Sequence, residues 1–279
     1  MQTTDFSDIS YQLDSDGIVT VSLATPERKN ALSGLTALEL YWAAKHFRED
    51  DNALAMILTG APDLQSEPTR QAFSSGGYFV PGIYDELPEE ILTQIDMTDI
   101  AMKRTVLEFF ACDKPVLAAV NGLAIGGGFT LPLAVADQIY LSEYAWARLP
   151  FASLGISAEL ASTYMLPLFL GMQKAKELLF YPEKIEPQEL LDLGIANAVV
   201  PHDELLSFTR EKALQLIPPR GAGASIRAMK RIVHQQRLAE VTIALDLENE
   251  VLNELMKSED FAEGLMARIE KRAPLFKGR

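Results

Sequence analysis

The chain has 279 residues, 48% hydrophobic and 23% charged, values that leave ample apolar side chains for a core and argue against disorder. A formal net charge of −14 argues against a surface that neutralises a nucleic-acid backbone along its length, and the single cysteine, Cys112, excludes an internal disulfide framework or a cysteine-based metal cluster. Met1–Ser10 holds no apolar stretch of signal-peptide type, no run approaches a membrane span, and Lys277-Gly278-Arg279 is not a peroxisomal address, so a soluble cytoplasmic protein without membrane or nucleic-acid partners is expected.

Ile9–Leu13 and Ile18–Leu23 read as two strands joined at Asp14-Ser15-Asp16-Gly17, a polar turn with a glycine available for positive φ. Ser33 then suits the N-cap of a helix in which Leu40, Ala43, Ala44 and Phe47 share one buried face. The apolar run Ala53–Leu58, ended by Thr59-Gly60, predicts a strand buried on both faces. From Ala61 to about Pro88 extends a loop rich in Gly, Ser and Pro, too long for a mere connector and therefore a functional candidate. A helical stretch over Glu89–Cys112 precedes a second buried strand, Pro115–Val120, closed by Asn121-Gly122. Strands at Gln138–Leu141 and Ala145–Arg148 alternate with helices near 128–135 and 159–169, which indicates an α/β core over residues 1–201. Beyond it, 203–216, 223–237, 239–257 and 259–271 read as helices, giving an all-helical region over 202–279. Its end is basic: Arg268, Lys271, Arg272, Lys277 and Arg279 face only Glu270, either as a solvated helix terminus or as a contact for a phosphorylated ligand.

Two glycine segments carry the chemistry. Phe73-Ser74-Ser75-Gly76-Gly77 follows a buried strand and loop; its paired glycines form either a plain turn or a close backbone approach to a ligand. Ala119-Val120-Asn121-Gly122-Leu123-Ala124-Ile125-Gly126-Gly127-Gly128 places three glycines at the start of an apolar helix, where free amides and the helix dipole favour developing negative charge. Close strand–helix packing is the alternative use of those glycines, and no G-x-G-x-x-G dinucleotide motif accompanies them.

Together the two segments resemble the signatures of the enoyl-CoA hydratase/isomerase, or crotonase, family. Arg28-Lys29-Asn30-Ala31-Leu32 resembles that family's early CoA-contacting segment, and Ser258–Gly264 and Glu270–Phe276 resemble its C-terminal helices. The resemblance implies a ClpP-like ββα spiral core with a C-terminal helical trimerisation region, assembled as a homotrimer or a dimer of trimers. It implies an acyl-CoA thioester substrate, no cofactor other than the CoA of the substrate itself, and no metal. Gly77 and Gly127 would hold the thioester oxygen, with substrate contacts from Lys29, Ala31, Ser75, Gly76, Tyr78, Gly126, Phe151 and Leu154. Lys29, Lys271 and Lys277 are the candidate partners of the CoA phosphates.

Members of the family differ in their acid–base groups. The hydratase pattern has one glutamate three residues after the second oxyanion glycine and another behind a proline further on; here those positions are Thr130 and Phe151. Leu149–Ser162 instead resembles the peroxisomal-type Δ3,Δ2-enoyl-CoA isomerases, whose single catalytic glutamate falls at Glu159. One carboxylate suffices for a 1,3-proton shift, and burial among Leu154, Ile156, Leu160 and Ala161 would raise its pKa toward general-base use. The alternative for this segment is an N-cap at Ser157, with Glu159 in the first helical turn. Departures from the isomerase pattern are Tyr78 in place of an aspartate and Leu160 in place of the glycine after the glutamate; Tyr78 would line the acyl pocket or support its loop. Hydration, hydrolysis and ring-acyl isomerisation remain alternatives, as does a non-catalytic CoA-ester-binding protein. Dehalogenation of 4-chlorobenzoyl-CoA type needs a histidine near the carboxylate, whereas His46, His202 and His234 are predicted to be solvated in surface or tail helices.

Overall fold

The apolar runs form the centre of a six-stranded sheet in the computed structural model, which describes residues 1–78, 82–85 and 87–279. β1 (Ile9–Leu13) and β2 (Ile18–Leu23) make the expected antiparallel hairpin. α1 (Gly34–Glu49) starts at Ser33, whose hydroxyl accepts the Thr36 N–H at 3.1 Å, and its Leu40, Ala43, Ala44 and Phe47 are fully buried. β3 (Ala55–Gly60) is buried at every residue and is followed by β4 (Ala72–Ser74). The helical stretch expected over 89–112 divides into α2 (Glu89–Leu92) and α3 (Lys103–Ala111). Asp99 starts α3 by accepting the amides of Lys103 at 2.6 Å and Arg104 at 3.0 Å, a local bond that competes with continued helix.

β5 (Val116–Val120), β6 (Leu123–Ile125), α4 (Gly127–Val135), β7 (Gln138–Ser142), β8 (Trp146–Arg148) and α5 (Ser162–Phe180) follow. α6 (Pro187–Asp192), β9 (Ala198–Val200), α7 (Leu205–Leu214), α8 (Gly223–Leu255) and α9 (Glu259–Glu270) complete the chain. The large sheet has the order β1-β2-β3-β5-β7-β9, parallel after the hairpin, and β4-β6-β8 form a second parallel sheet. Each pair β3β4, β5β6 and β7β8 therefore places one strand in each sheet before the chain returns through helix, which is the expected ββα spiral.

The corners of the spiral need particular residues. A Cβ on Gly122 would lie 2.0 Å from the Gln71 carbonyl oxygen, so only glycine passes from β5 to β6 there. Beside it the Asn121 amide donates to the Gly60 carbonyl at 3.0 Å and accepts the Gly60 N–H at 3.3 Å, tying one unit to the one before. β4, β6 and β9, three residues each, lie outside the strands predicted from the sequence.

The helical region packs onto the sheet. Leu205 and Ala213 of α7 pack with Ile18, Ile57, Leu117 and Tyr140 on the face of the large sheet opposite α1, so residues beyond 201 complete the core. The two helices expected over 223–257 are one, α8, because Arg237-Leu238-Ala239-Glu240 contains no breaker. Among the described residues no helix is long and apolar enough to cross a membrane.

Candidate active site

β4 brings the first glycine segment alongside the chain entering α1. The Leu32 N–H donates to the Gly76 carbonyl at 2.8 Å, the Tyr78 N–H to the Leu32 carbonyl at 2.8 Å and the Ser75 N–H to the Lys29 carbonyl at 2.9 Å. Gly77 lies between these bonds, and among the described residues its own amide donates to none. Gly76 has φ +84°, and a Cβ there would stand 2.4 Å from the Ile125 carbonyl oxygen and 3.6 Å from the Gly127 nitrogen. The two glycine segments thus meet backbone to backbone. Gly126, at φ 52° and ψ −124°, turns the chain from β6 into α4 and leaves the first amides of that helix facing the same space. Gly128 is different: a Cβ there would lie 2.3 Å from the Ser74 carbonyl oxygen, so its glycine serves strand–helix packing.

Glu159 reaches this space from a tight turn. Its carbonyl accepts the Ser162 N–H at 3.1 Å and the Ser162 hydroxyl at 2.6 Å, while Leu160 and Ala161 hold φ values of 58° and 55°. Two successive positive φ angles mark a type I′ turn, a conformation that asks for glycine or asparagine. α5 begins only at Ser162, so Ser157 is not its N-cap and Glu159 lies in the loop ahead of the helix. The carboxylate is directed at the second glycine segment: a Cβ on Gly127 would stand 2.7 Å from Glu159 Oε1. Burial pushes the Glu159 pKa up to about 8, the charge of Glu248 adds to the rise, and the Gly127 amide opposes it. The part of Glu159 that remains exposed opens onto the cavity it lines.

The cavity has two chambers. A larger one of about 310 Å³ is walled by Leu32, Ala37, Tyr78, Ile83, Ile95 and Met102. A recess of about 30 Å³ holds Gly76, Gly126 and Gly127 with Phe151, Leu154 and Arg268. Gly77, Ile100, Glu159 and Met256 line both. An apolar chamber that ends on backbone amides and one raised-pKa carboxylate is suited to an acyl group whose carbonyl gains negative charge.

The enoyl-CoA hydratase/isomerase family model matches residues 14–279 of this sequence. The chain belongs to that family. It is 32% identical over 271 residues to a probable enoyl-CoA hydratase of Rhodobacter capsulatus, covering 97% of this chain and 98% of that one. It is 33% identical over 275 residues to the carnitinyl-CoA dehydratase of Salmonella typhi, covering 97% and 99%. The crystal structure of an enoyl-CoA hydratase/isomerase from Pseudoalteromonas atlantica superposes with a TM-score of 0.81 at 27% identity, over 97% of this chain and all of that one. The fold is therefore the crotonase fold, and the chemistry is that of crotonase-superfamily enzymes on acyl-CoA.

Within this family member the two hydratase positions carry no acid. Thr130 is fully buried with its hydroxyl donating to the Gly126 carbonyl at 3.3 Å, and Phe151 forms apolar wall in the recess. Of the expected contact residues, Ser75, Gly76, Gly126, Phe151 and Leu154 line the recess and Tyr78 the larger chamber. The Tyr78 ring also carries the Arg28 guanidinium at 4.8 Å, so it both lines the pocket and supports its loop. Lys29 is exposed and Ala31 buried, and neither lines either chamber.

The basic tail is mostly neutralised. Lys277 pairs with Glu259 at 3.1 Å, Arg279 with the same glutamate at 3.5 Å, and Arg272 with Glu263 and Glu270. Arg268 makes no ion pair among the described residues and borders the recess. The sequence signal for it is Gly264, one turn earlier on α9: a Cβ there would meet the Leu154 carbonyl oxygen at 2.7 Å, so glycine lets α9 dock on the site. The histidines are not the solvated side chains expected. His46 bonds the Met1 carbonyl at 2.8 Å, His202 the Ser142 hydroxyl at 3.0 Å, and His234 stacks on Phe110 at 4.5 Å. Each fills a structural role away from the two chambers. Glu248 was missed altogether. It is 3% exposed and stands on the buried stripe Val241, Ala244, Leu245, Leu252 of α8, and a charge on such a stripe is the signal that marks it.

Proposed function

We propose that this enzyme isomerises a 3-enoyl-CoA to its 2-enoyl isomer through an enolate held by the Gly77 and Gly127 amides. The observation that carries this reading is the carboxylate inventory: among the described residues lining the glycine recess, Glu159 is the one acid, and its pKa is pushed up to about 8. Ionised Glu159 takes a proton from C2, the electron pair moves onto the thioester oxygen as the dienolate forms, and the same carboxyl returns the proton to C4. C2 and C4 are close enough for one group to serve both. Two preorganised donors supply on the order of 2.7–4 kcal/mol each to the developing oxyanion. No resident cofactor or metal enters this scheme, and CoA arrives as part of the substrate.

Substrate contact from Ser75, Gly76, Tyr78, Gly126, Phe151 and Leu154 belongs to the same reading, as does a phosphate contact by Arg268. Homotrimers or dimers of trimers in the cytoplasm are proposed with it; the exposed Met229, Ile232, Val233, Ile243 and Leu247 along α8 supply apolar surface for such contacts.

Hydration or dehydration is the second reading, favoured by the hydratase and dehydratase names of the relatives. The two readings separate by product analysis after incubation with 3-enoyl, 2-enoyl and aryl CoA esters. Migration of the double bond without uptake of water supports isomerisation. A 3-hydroxyacyl product from the 2-enoyl ester, formed at the faster rate, would replace it with hydration.

A further inference from the structure

The turn that presents Glu159 is held in an unfavourable conformation by a residue far along the chain. Leu160 and Ala161 both sit at positive φ, and both are fully buried, so neither can relax outward. Glu248 on α8 closes this turn with both carboxylate oxygens. Oε2 accepts the Ala161 N–H at 2.7 Å, and Oε1 accepts the Thr163 N–H at 3.0 Å and the Thr163 hydroxyl at 2.7 Å. Those amides belong to the start of α5, where the N-cap position is Ala161 and offers no side-chain acceptor. Among the described residues Glu248 makes no ion pair, so its position rests on these three donors.

We propose that Glu248 is a positioning residue: it locks the left-handed Leu160–Ala161 turn so that the Glu159 carboxylate is held against the Gly127 amide. The inference rests on the reading of Glu159 as the base. A helix cap alone does not require two side-chain-bearing residues at positive φ in front of it, whereas aiming the preceding carboxylate back toward α4 does. Burial raises the pKa of Glu248 itself, and the three donated bonds oppose that rise. The ionisable groups around Glu159 are Glu248 from α8, Arg268 from α9, Tyr78 and Tyr84 from the loop after β4, and Asp96 and Asp99 across the larger chamber.

The test compares Glu248→Ala, Glu248→Gln, the double variant Glu248→Ala/Ala161→Gly and Glu159→Gln in the full chain, with whichever CoA ester of the three classes the wild type converts. Misaiming the base predicts that Glu248→Ala lowers kcat ~10–100-fold with KM changed less than about threefold. Ala161→Gly in that background restores about a third or more of the lost rate on a logarithmic scale, because glycine adopts positive φ unaided. Glu248→Gln removes a negative charge beside Glu159 and moves the acid limb of the kcat–pH profile to lower pH. Its single carbonyl oxygen can serve only part of the turn's three donors, so a smaller kcat loss at unchanged KM tests the positioning role if Glu248→Ala fails to fold. An inactive Glu159→Gln alongside Glu248 variants with near-wild-type kcat overturns the positioning role and leaves the base intact. A kcat loss that Ala161→Gly leaves unrepaired overturns it also. Full activity in Glu159→Gln rejects the base assignment itself.

Discussion

Two kinds of turn converge on the same recess, and both demand backbone of positive φ. At Gly76 and Gly126 the chain meets that demand locally, with residues that have no Cβ to clash. At Leu160 and Ala161 it places side chains where a strained conformation costs on the order of 1–3 kcal/mol per residue, and the compensating bonds come from Glu248, 87 residues beyond Ala161. The first turn is encoded where it stands. The second depends on α8, whose Glu248 accepts the Ala161 and Thr163 amides.

That difference also explains what could be read from the chain. The hairpin, the N-cap at Ser33, the buried strands and both glycine segments depend on local pattern, and each was legible. Glu159 is legible as a candidate carboxylate but not as a residue of a turn, because Ser157 offers an ordinary cap that the fold does not use. Arg268 and Glu248 depend on how α9 and α8 pack, through Gly264 and through a charge on a buried stripe, and spacing alone does not report that. α7 likewise continues a helical pattern in sequence while closing the far face of the large sheet in space.

The largest effect is expected at the carboxylate. Glu159→Gln keeps the shape of the turn and removes the base, so kcat should fall about 10²–10⁴-fold while a substrate-analogue CoA ester still binds within a few-fold of the wild-type Kd. Equal losses in binding and turnover would assign Glu159 to substrate binding instead. On the glycine side, Gly127→Ala brings a methyl group within 2.7 Å of Glu159 Oε1 and 3.2 Å of Leu32 Cδ1. It displaces the base and narrows the recess together, and a kcat loss of about 10²-fold is expected. Arg268→Ala lies outside these turns and removes a cation at the rim that has no ion pair among the described residues. KM for the CoA ester should rise about fivefold, the scale of one exposed phosphate contact of ~1 kcal/mol, with kcat unchanged. An unchanged KM would leave phosphate contact to the lysines.

The smallest effect concerns stability and follows from the same burial that tunes the base. Glu159 has an ordinary unfolded value of 4.5 and a folded value of about 8, so the folded state holds its proton more tightly than the unfolded state does. Its contribution to stability is therefore fully present below about 4.5 and is lost as pH rises through 8. Glutamine cannot ionise and escapes that loss. Glu159→Gln should melt close to the wild type near pH 5 and a few degrees above it near pH 9, in thermal unfolding followed at both pH values. Groups that do not interact with Glu159 titrate alike in both proteins, so the difference between the two melting curves reports this carboxyl together with its coupling to Glu248. A Tm difference that stays constant with pH would mean that the carboxylate is solvated in the folded state. The case for a base tuned by burial would then fail even if the variant were inactive.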